Sequence, residues 1–69
     1  MNIKKIYKEN GLDYISNIPK NADDLAVRWI ECDYKVKSFR NSYTIETIRK
    51  SDAYRERALI NKIMNGKIK

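Results

Sequence analysis

Sixty-nine residues and 8.2 kDa leave room for one small domain, and a chain of that size buries only about 60% of the surface its unfolded form exposes. There is no histidine and a single cysteine, Cys32, which excludes an intramolecular disulfide, a Cys/His metal site, a His-based triad and a Cys-x-x-Cys redox pair. What remains is charge: 15 Lys+Arg against 9 Asp+Glu, net +6, with a pI of about 9.6.

The first ten residues, Met1 to Asn10, contain no apolar run of the kind a secretory signal needs. Together with a lone cysteine, that leads us to expect a protein of the reducing cytoplasm. Residues 2–9 are predicted to form a short helix with Ile3, Ile6 and Tyr7 on one side. Asn10-Gly11 supplies a left-handed stop, and Leu12 comes next as the apolar contact that accompanies such stops. Asp13 to Ile18 reads as a turn or a single helical turn closed by Pro19, with Leu12, Ile15 and Ile18 as anchors on the core.

Asn21-Ala22-Asp23-Asp24 is the clearest helix start in the chain. Asn21 can accept a bond from an orphan amide, and the two aspartates sit at the positive end of the helix dipole. Downstream, Leu25, Trp29, Cys32, Val36 and Phe39 recur at spacings of 4, 3, 4 and 3, which predicts a helix over 22–39. A competing signal overlaps it: Ile30 to Lys37 alternates strictly between apolar and charged residues, the pattern of a strand. The helical reading leaves Val27, Ile30 and Tyr34 on a second apolar side, with Tyr7 and Tyr14 as further aromatic residues nearby. A helix apolar on two faces is either central or meets a partner.

Asn41-Ser42 interrupts the pattern, and Ser42 or Thr44 can cap the next helix. Ile45, Ile48, Leu59, Ile60 and Ile63 then share one side, either on one continuous helix or on two, 44–50 and 52–64, with Ser51-Asp52 as the second cap. Asn65-Gly66 ends the last helix, and residues 65–69 form a flexible basic tail. The expected fold is all-α: one domain over 1–69, a small bundle of three to four short helices. With 42% hydrophobic and 35% charged residues, the chain is too apolar for a disordered polycation and too charged for a membrane segment.

The charge is uneven along the chain. Residues 1–20 carry +2, residues 21–34 carry −3, and residues 35–69 carry +7. In that last segment Lys50, Tyr54, Arg57 and Asn61 are spaced 4, 3 and 4, on the side away from the Ile/Leu stripe if 50–61 is one helix. Arg49, Arg55 and Lys62 flank the row, and Lys35, Lys37 and Arg40 extend the basic stretch upstream. Cations neutralise phosphates, Asn can reach a base edge, and Tyr can stack or bond a phosphate. The candidate nucleic-acid-binding residues are therefore Arg40, Arg49, Lys50, Tyr54, Arg57, Asn61 and Lys62. The bland alternative is a solvated face in which Glu46 and Glu56 make intrahelical pairs.

Tyr43-Thr44-Ile45-Glu46-Thr47-Ile48-Arg49-Lys50 resembles the recognition helix of bacterial helix-turn-helix regulators, in which a capped Thr-Ile-Arg faces the major groove. The preceding helix lies about a dozen residues further upstream than that motif's tight turn allows. Asp24-Leu25-Ala26-Val27-Arg28, with the basic helix after it, is similar to a segment of one family of small ribosomal proteins. The dense Arg/Lys tail of that family is missing here. Each resemblance covers a few residues, and the chain is assigned to neither family.

Chemistry of other kinds finds no residues to carry it. Gly11 and Gly66 are isolated, so no phosphate-cradling loop exists. Asp23 and Asp24 are neighbours and diverge on a helix, which suits dipole compensation better than a metal. Cys32 falls inside the apolar stripe and reads as a small, unreactive core residue. The chain is thus expected to be no enzyme and to need no cofactor, metal, membrane or small-molecule substrate. Its expected partner is DNA or RNA, as a regulatory or accessory protein of a phage, plasmid or bacterial cell. The alternative is a protein-interaction module, an inhibitor or adaptor of a larger partner or a homodimer, that uses Val27, Ile30 and Tyr34.

Overall fold

Every helix begins on a polar side chain that closes its first turn. In the computed structural model, which describes residues 2–68, the four helices are α1 (Ile3–Glu9), α2 (Ala22–Phe39), α3 (Ile45–Lys50) and α4 (Asp52–Met64). Asn2, Asn21, Thr44 and Ser51 each accept a hydrogen bond from the backbone amide three residues on, at 3.1, 2.9, 3.3 and 3.3 Å. These bonds satisfy amides that have no partner within the helix. Among the described residues there is no strand.

Both glycines serve as helix stops. Gly11 has φ +74° and Gly66 has φ +69°, the left-handed region that favours glycine. After α1, the Leu12 amide bonds the Tyr7 carbonyl at 2.9 Å and the Gly11 amide bonds that of Lys8 at 3.1 Å. After α4 the same pair recurs, Lys67 to Lys62 at 2.9 Å and Gly66 to Ile63 at 3.1 Å. This is the paired termination that satisfies the last carbonyls of a helix.

The 30–37 alternation lies in the middle of α2, so the strand pattern comes from a helix that is apolar on two sides. Leu25, Cys32 and Val36 are buried and Trp29 and Phe39 half-buried, while Val27, Ile30 and Tyr34 face outward. The continuous-helix alternative for 44–64 fails at Ser51, whose backbone is extended (φ −70°, ψ 150°). Ser51 ends α3 and starts α4: its hydroxyl donates to the Ile48 carbonyl at 2.6 Å while accepting from the Tyr54 amide. The bend breaks the phase assumed for the Ile/Leu stripe. Ile48, Leu59, Ile60 and Ile63 are buried, but Ile45 is exposed.

The larger core cluster joins Ile3, Ile6 and Tyr7 of α1 and Leu12 to Leu25 of α2 and Leu59, Ile60 and Ile63 of α4. Ile15 and Ile18 of the linker lie over it, as does Ile68, so the basic tail is held down at that residue. Lys69, the last residue of that tail, lies outside the described residues. A second cluster forms around Val36, Ile48 and Ala53, with Phe39 and Tyr54 at its edge. Tyr7 is fully buried and offers nothing to a partner. No helix of the described residues is long and apolar enough to cross a membrane.

Among the described residues one charged group sits inside this core. Glu56, only 3% exposed, is not the partner of a helical neighbour but the hub between α1, α2 and α4. The Arg28 guanidinium holds both its oxygens, Nε to Oε2 at 2.9 Å and Nη2 to Oε1 at 3.1 Å. The Tyr7 hydroxyl donates to Oε2 at 2.8 Å. Burial is the main cause that drives the Tyr7 hydroxyl far above its ordinary range, followed by its bond to Glu56, so it stays a donor. The bond to Glu56 likewise keeps Arg28 charged.

Removing one partner of a buried, hydrogen-bonded charge costs more than replacing the whole set with apolar groups. Arg28→Met should lower stability by about 3 kcal/mol and Tyr7→Phe by about 1 kcal/mol. The triple variant Tyr7→Phe/Arg28→Met/Glu56→Leu should recover most of that loss. Urea titration followed by circular dichroism checks all three. A triple variant no more stable than Arg28→Met would contradict the role given to the buried carboxylate.

Candidate nucleic-acid interface

The bend at Ser51 decides which cations of the C-terminal half come together. Turning α3 against α4 sets Arg49 over the start of α4, facing Tyr54, Arg55, Ala58, Leu59 and Lys62. Asn10 and Leu12, from the turn after α1, form the opposite wall. Among the described residues the result is a cleft of about 220 Å³ lined by three cations and no carboxylate. That is smaller than the roughly 300–1,000 Å³ of sites that enclose a small molecule. An open groove of this size suits a short run of the phosphate backbone of an extended chain, one phosphate to each cation.

Arg55 fixes the wall of the cleft. Its Nη2 donates to the Asn10 carbonyl at 3.2 Å. A Cβ placed on Gly11 would lie 3.1 Å from the same nitrogen. The glycine that terminates α1 therefore also lets the guanidinium lie close along the turn. Sequence reasoning placed Arg55 only on the flank of the basic row, because its contact crosses 45 positions of chain.

The predicted row is not one face. Lys50 belongs to α3, beyond the bend, and Tyr54, Arg57 and Asn61 turn toward α2 instead of away from the core. Asn61 Oδ1 accepts from Trp29 Nε1 at 2.8 Å. Arg57 Nη1 binds Asp33 Oδ1 at 2.7 Å, and Lys37 holds the other oxygen of Asp33 at 3.0 Å. The guanidinium of Arg57 also lies over the Tyr54 ring, 5.1 Å from its centre. Tyr54 packs against the Val36 cluster and borders the cleft with its remaining edge. Arg57 and Asn61 are thus spent on the α2–α4 seam.

Of the other candidates, Arg49 and Lys62 line the cleft, and Arg40 and Lys50 are exposed at the ends of α2 and α3 without lining it. Lys35 lines a different opening of about 270 Å³, shared with Tyr14, Arg28, Glu31, Asp52 and Glu56. Carboxylates outnumber cations there, so it repels a polyanion. Cys32 lies at the floor of that opening, where burial pushes its thiol up to about 11. It is protonated at neutral pH and a poor nucleophile. Among the described residues no group of three or more Asp, Glu or Cys side chains is arranged to hold a metal ion.

No family model matches the chain, and neither a curated protein nor a solved structure does.

The Asp33 bridge carries a pH dependence whose sign is fixed. Bonds from Lys37 and then Arg57 hold the Asp33 carboxyl below its ordinary 3.8. Its contribution to stability is therefore present above about pH 4 and fades as pH falls through the lowered value. The gap in melting temperature between the wild type and Asp33→Asn should be largest near neutrality and shrink as pH falls below the ordinary carboxylate range. Thermal melts across that range check it; a gap independent of pH would refute the bridge.

Proposed function

We propose that this chain is a small cytoplasmic nucleic-acid-binding protein, regulatory or accessory in role, which holds the phosphate backbone of DNA or RNA in the Arg49–Arg55–Lys62 cleft. One observation carries the reading. Three cations from α3 and α4 converge on a groove without a single carboxylate, in a chain whose other ion pairs are already closed within the fold. Cations left unpaired and grouped are what a polyanion neutralises on binding, with release of its counterions. Lys50 and Arg40, exposed on the same C-terminal half, add to the field that draws such a partner in.

The groove supports backbone contact more than base reading. Asn61, the side chain best suited to a base edge, is committed to Trp29, and the ring of Tyr54 is covered by Arg57. Phosphate contacts position a protein on a strand but carry no sequence information. The proposed binding is therefore tolerant of sequence and strongly dependent on salt.

Fluorescence anisotropy with labelled mixed-sequence single strands and duplexes tests this directly. With three phosphates neutralised, log Kd should rise with log salt with a slope of about 2–3. Arg49→Glu/Lys62→Glu should weaken binding more than ten-fold with an unchanged melting temperature, since both side chains are exposed. Arg57→Gln should cost stability, through Asp33, and little binding. Equal affinity for the double variant and the wild type would end the proposal.

A further inference from the structure

Among the described residues the outer face of α2 has no partner within the fold. Val27, Ile30 and Tyr34 are 57%, 65% and 77% exposed. At 100° per residue they fall within about 60° of arc, opposite the buried Leu25, Cys32 and Val36. Asp23 continues this stripe at its amino end and Lys37 at its carboxyl end, so the seam runs Asp23, Val27, Ile30, Tyr34, Lys37 at spacings of 4, 3, 4 and 3. That is the repeat by which two helices pack along their length.

The charges along the helix select the occupant. Asp23 and Asp24 lie in its first turns, while Lys35, Lys37 and Arg40 lie in and just beyond its last turns. We propose that α2 pairs in antiparallel fashion with α2 of a second copy of this chain, around a two-fold axis near Ile30. This arrangement lays the acidic end of each helix on the basic end of the other and packs Ile30 near its own counterpart. A parallel pairing sets acid on acid and base on base. The two helix dipoles also oppose one another only in the antiparallel case. Glu31, near the axis, is the one carboxylate brought toward its own copy, and it limits how tight the contact becomes.

The size of the face sets the strength. Lasting interfaces bury at least about 1,000 Å² in total, and three large side chains from each copy sit at or below that bound. The dimer is therefore weak and dependent on concentration. Pairing through α2 leaves the basic cleft on the far side of each copy, so this inference goes beyond the nucleic-acid reading and does not depend on it.

Sedimentation equilibrium on nucleic-acid-free protein, from micromolar to millimolar concentration, reads the association directly. The wild type should move from 8.2 kDa toward twice that mass, and Ile30→Asp should raise Kd at least ten-fold with an unchanged melt. Asp23→Lys/Asp24→Lys and Lys35→Glu/Arg40→Glu, the second of which leaves the Asp33 bridge intact, should each associate more weakly than the wild type, and an equimolar mixture of the two should associate again. A wild type that stays monomeric throughout, or a dimer indifferent to Ile30→Asp, overturns the proposal and leaves the face to a different protein. Anisotropy on the same Ile30→Asp sample keeps the two readings apart, since its cleft is intact.

Discussion

The buried carboxylate of Glu56 is the constraint around which the rest of the molecule is arranged. A charge of that kind in a thin core is tolerated only when its oxygens are bonded, and here Arg28 and Tyr7 supply those bonds. The three partners come from three different helices. Satisfying Glu56 therefore fixes how α1 and α2 approach α4, and once that approach is fixed, Trp29 meets Asn61 and Asp33 meets Arg57 farther along the same seam. The α2–α4 contact is apolar at the centre and is held in register by polar pairs. In so small a domain, register is worth having, because burial alone would let two short amphipathic helices slide or rotate.

That register divides the cations into two populations. Arg28 and Arg57 are consumed by carboxylates of the fold and Lys37 leans on Asp33 while staying largely exposed, whereas Arg49, Arg55 and Lys62 are gathered in a cleft that no described carboxylate lines. The formal +6 of the chain is thus expressed mainly outside the seam. The same rotation of α2 that buries Leu25, Cys32 and Val36 turns Val27, Ile30 and Tyr34 to solvent. A basic groove and an apolar helix face consequently lie on different sides of one small domain, and neither needs the other to act.

The helices and their limits were legible because their causes are local. Asn21 with Asp23 and Asp24, Ser51 with Asp52, and the Asn-Gly pairs at 10–11 and 65–66 act through bonds between residues three to five positions apart, which a linear reading contains. The weak points were the alternation at 30–37 and the join at Ser51. The first misleads because two apolar faces on one helix mimic a period of two, and the second because Ser51 suits both a helix interior and a cap. Glu56 was open to the same logic: it stands in phase with Ala53, Ile60 and Ile63. A charged residue on the buried side of a helix asks for a buried partner, and that signal was there to be traced to Arg28.

The candidate site was legible only as a region. Composition places the positive charge after residue 35, and it marks Val27, Ile30 and Tyr34 as surplus to one core. Which cations stand free depends on contacts between residues 24 to 49 positions apart, as in Asp33–Arg57, Arg55–Asn10 and Tyr7–Glu56. No periodicity encodes those. The sequence by itself determined an all-α chain, the Asn21 start of α2 and the Asn-Gly stops at 10–11 and 65–66, because backbone hydrogen bonding and amphipathic spacing are short-range. Only the tertiary structure decided that Arg57 and Asn61 belong to the seam and Arg55 to the cleft, because a side chain's charge is available to a partner only if the fold has not already neutralised it.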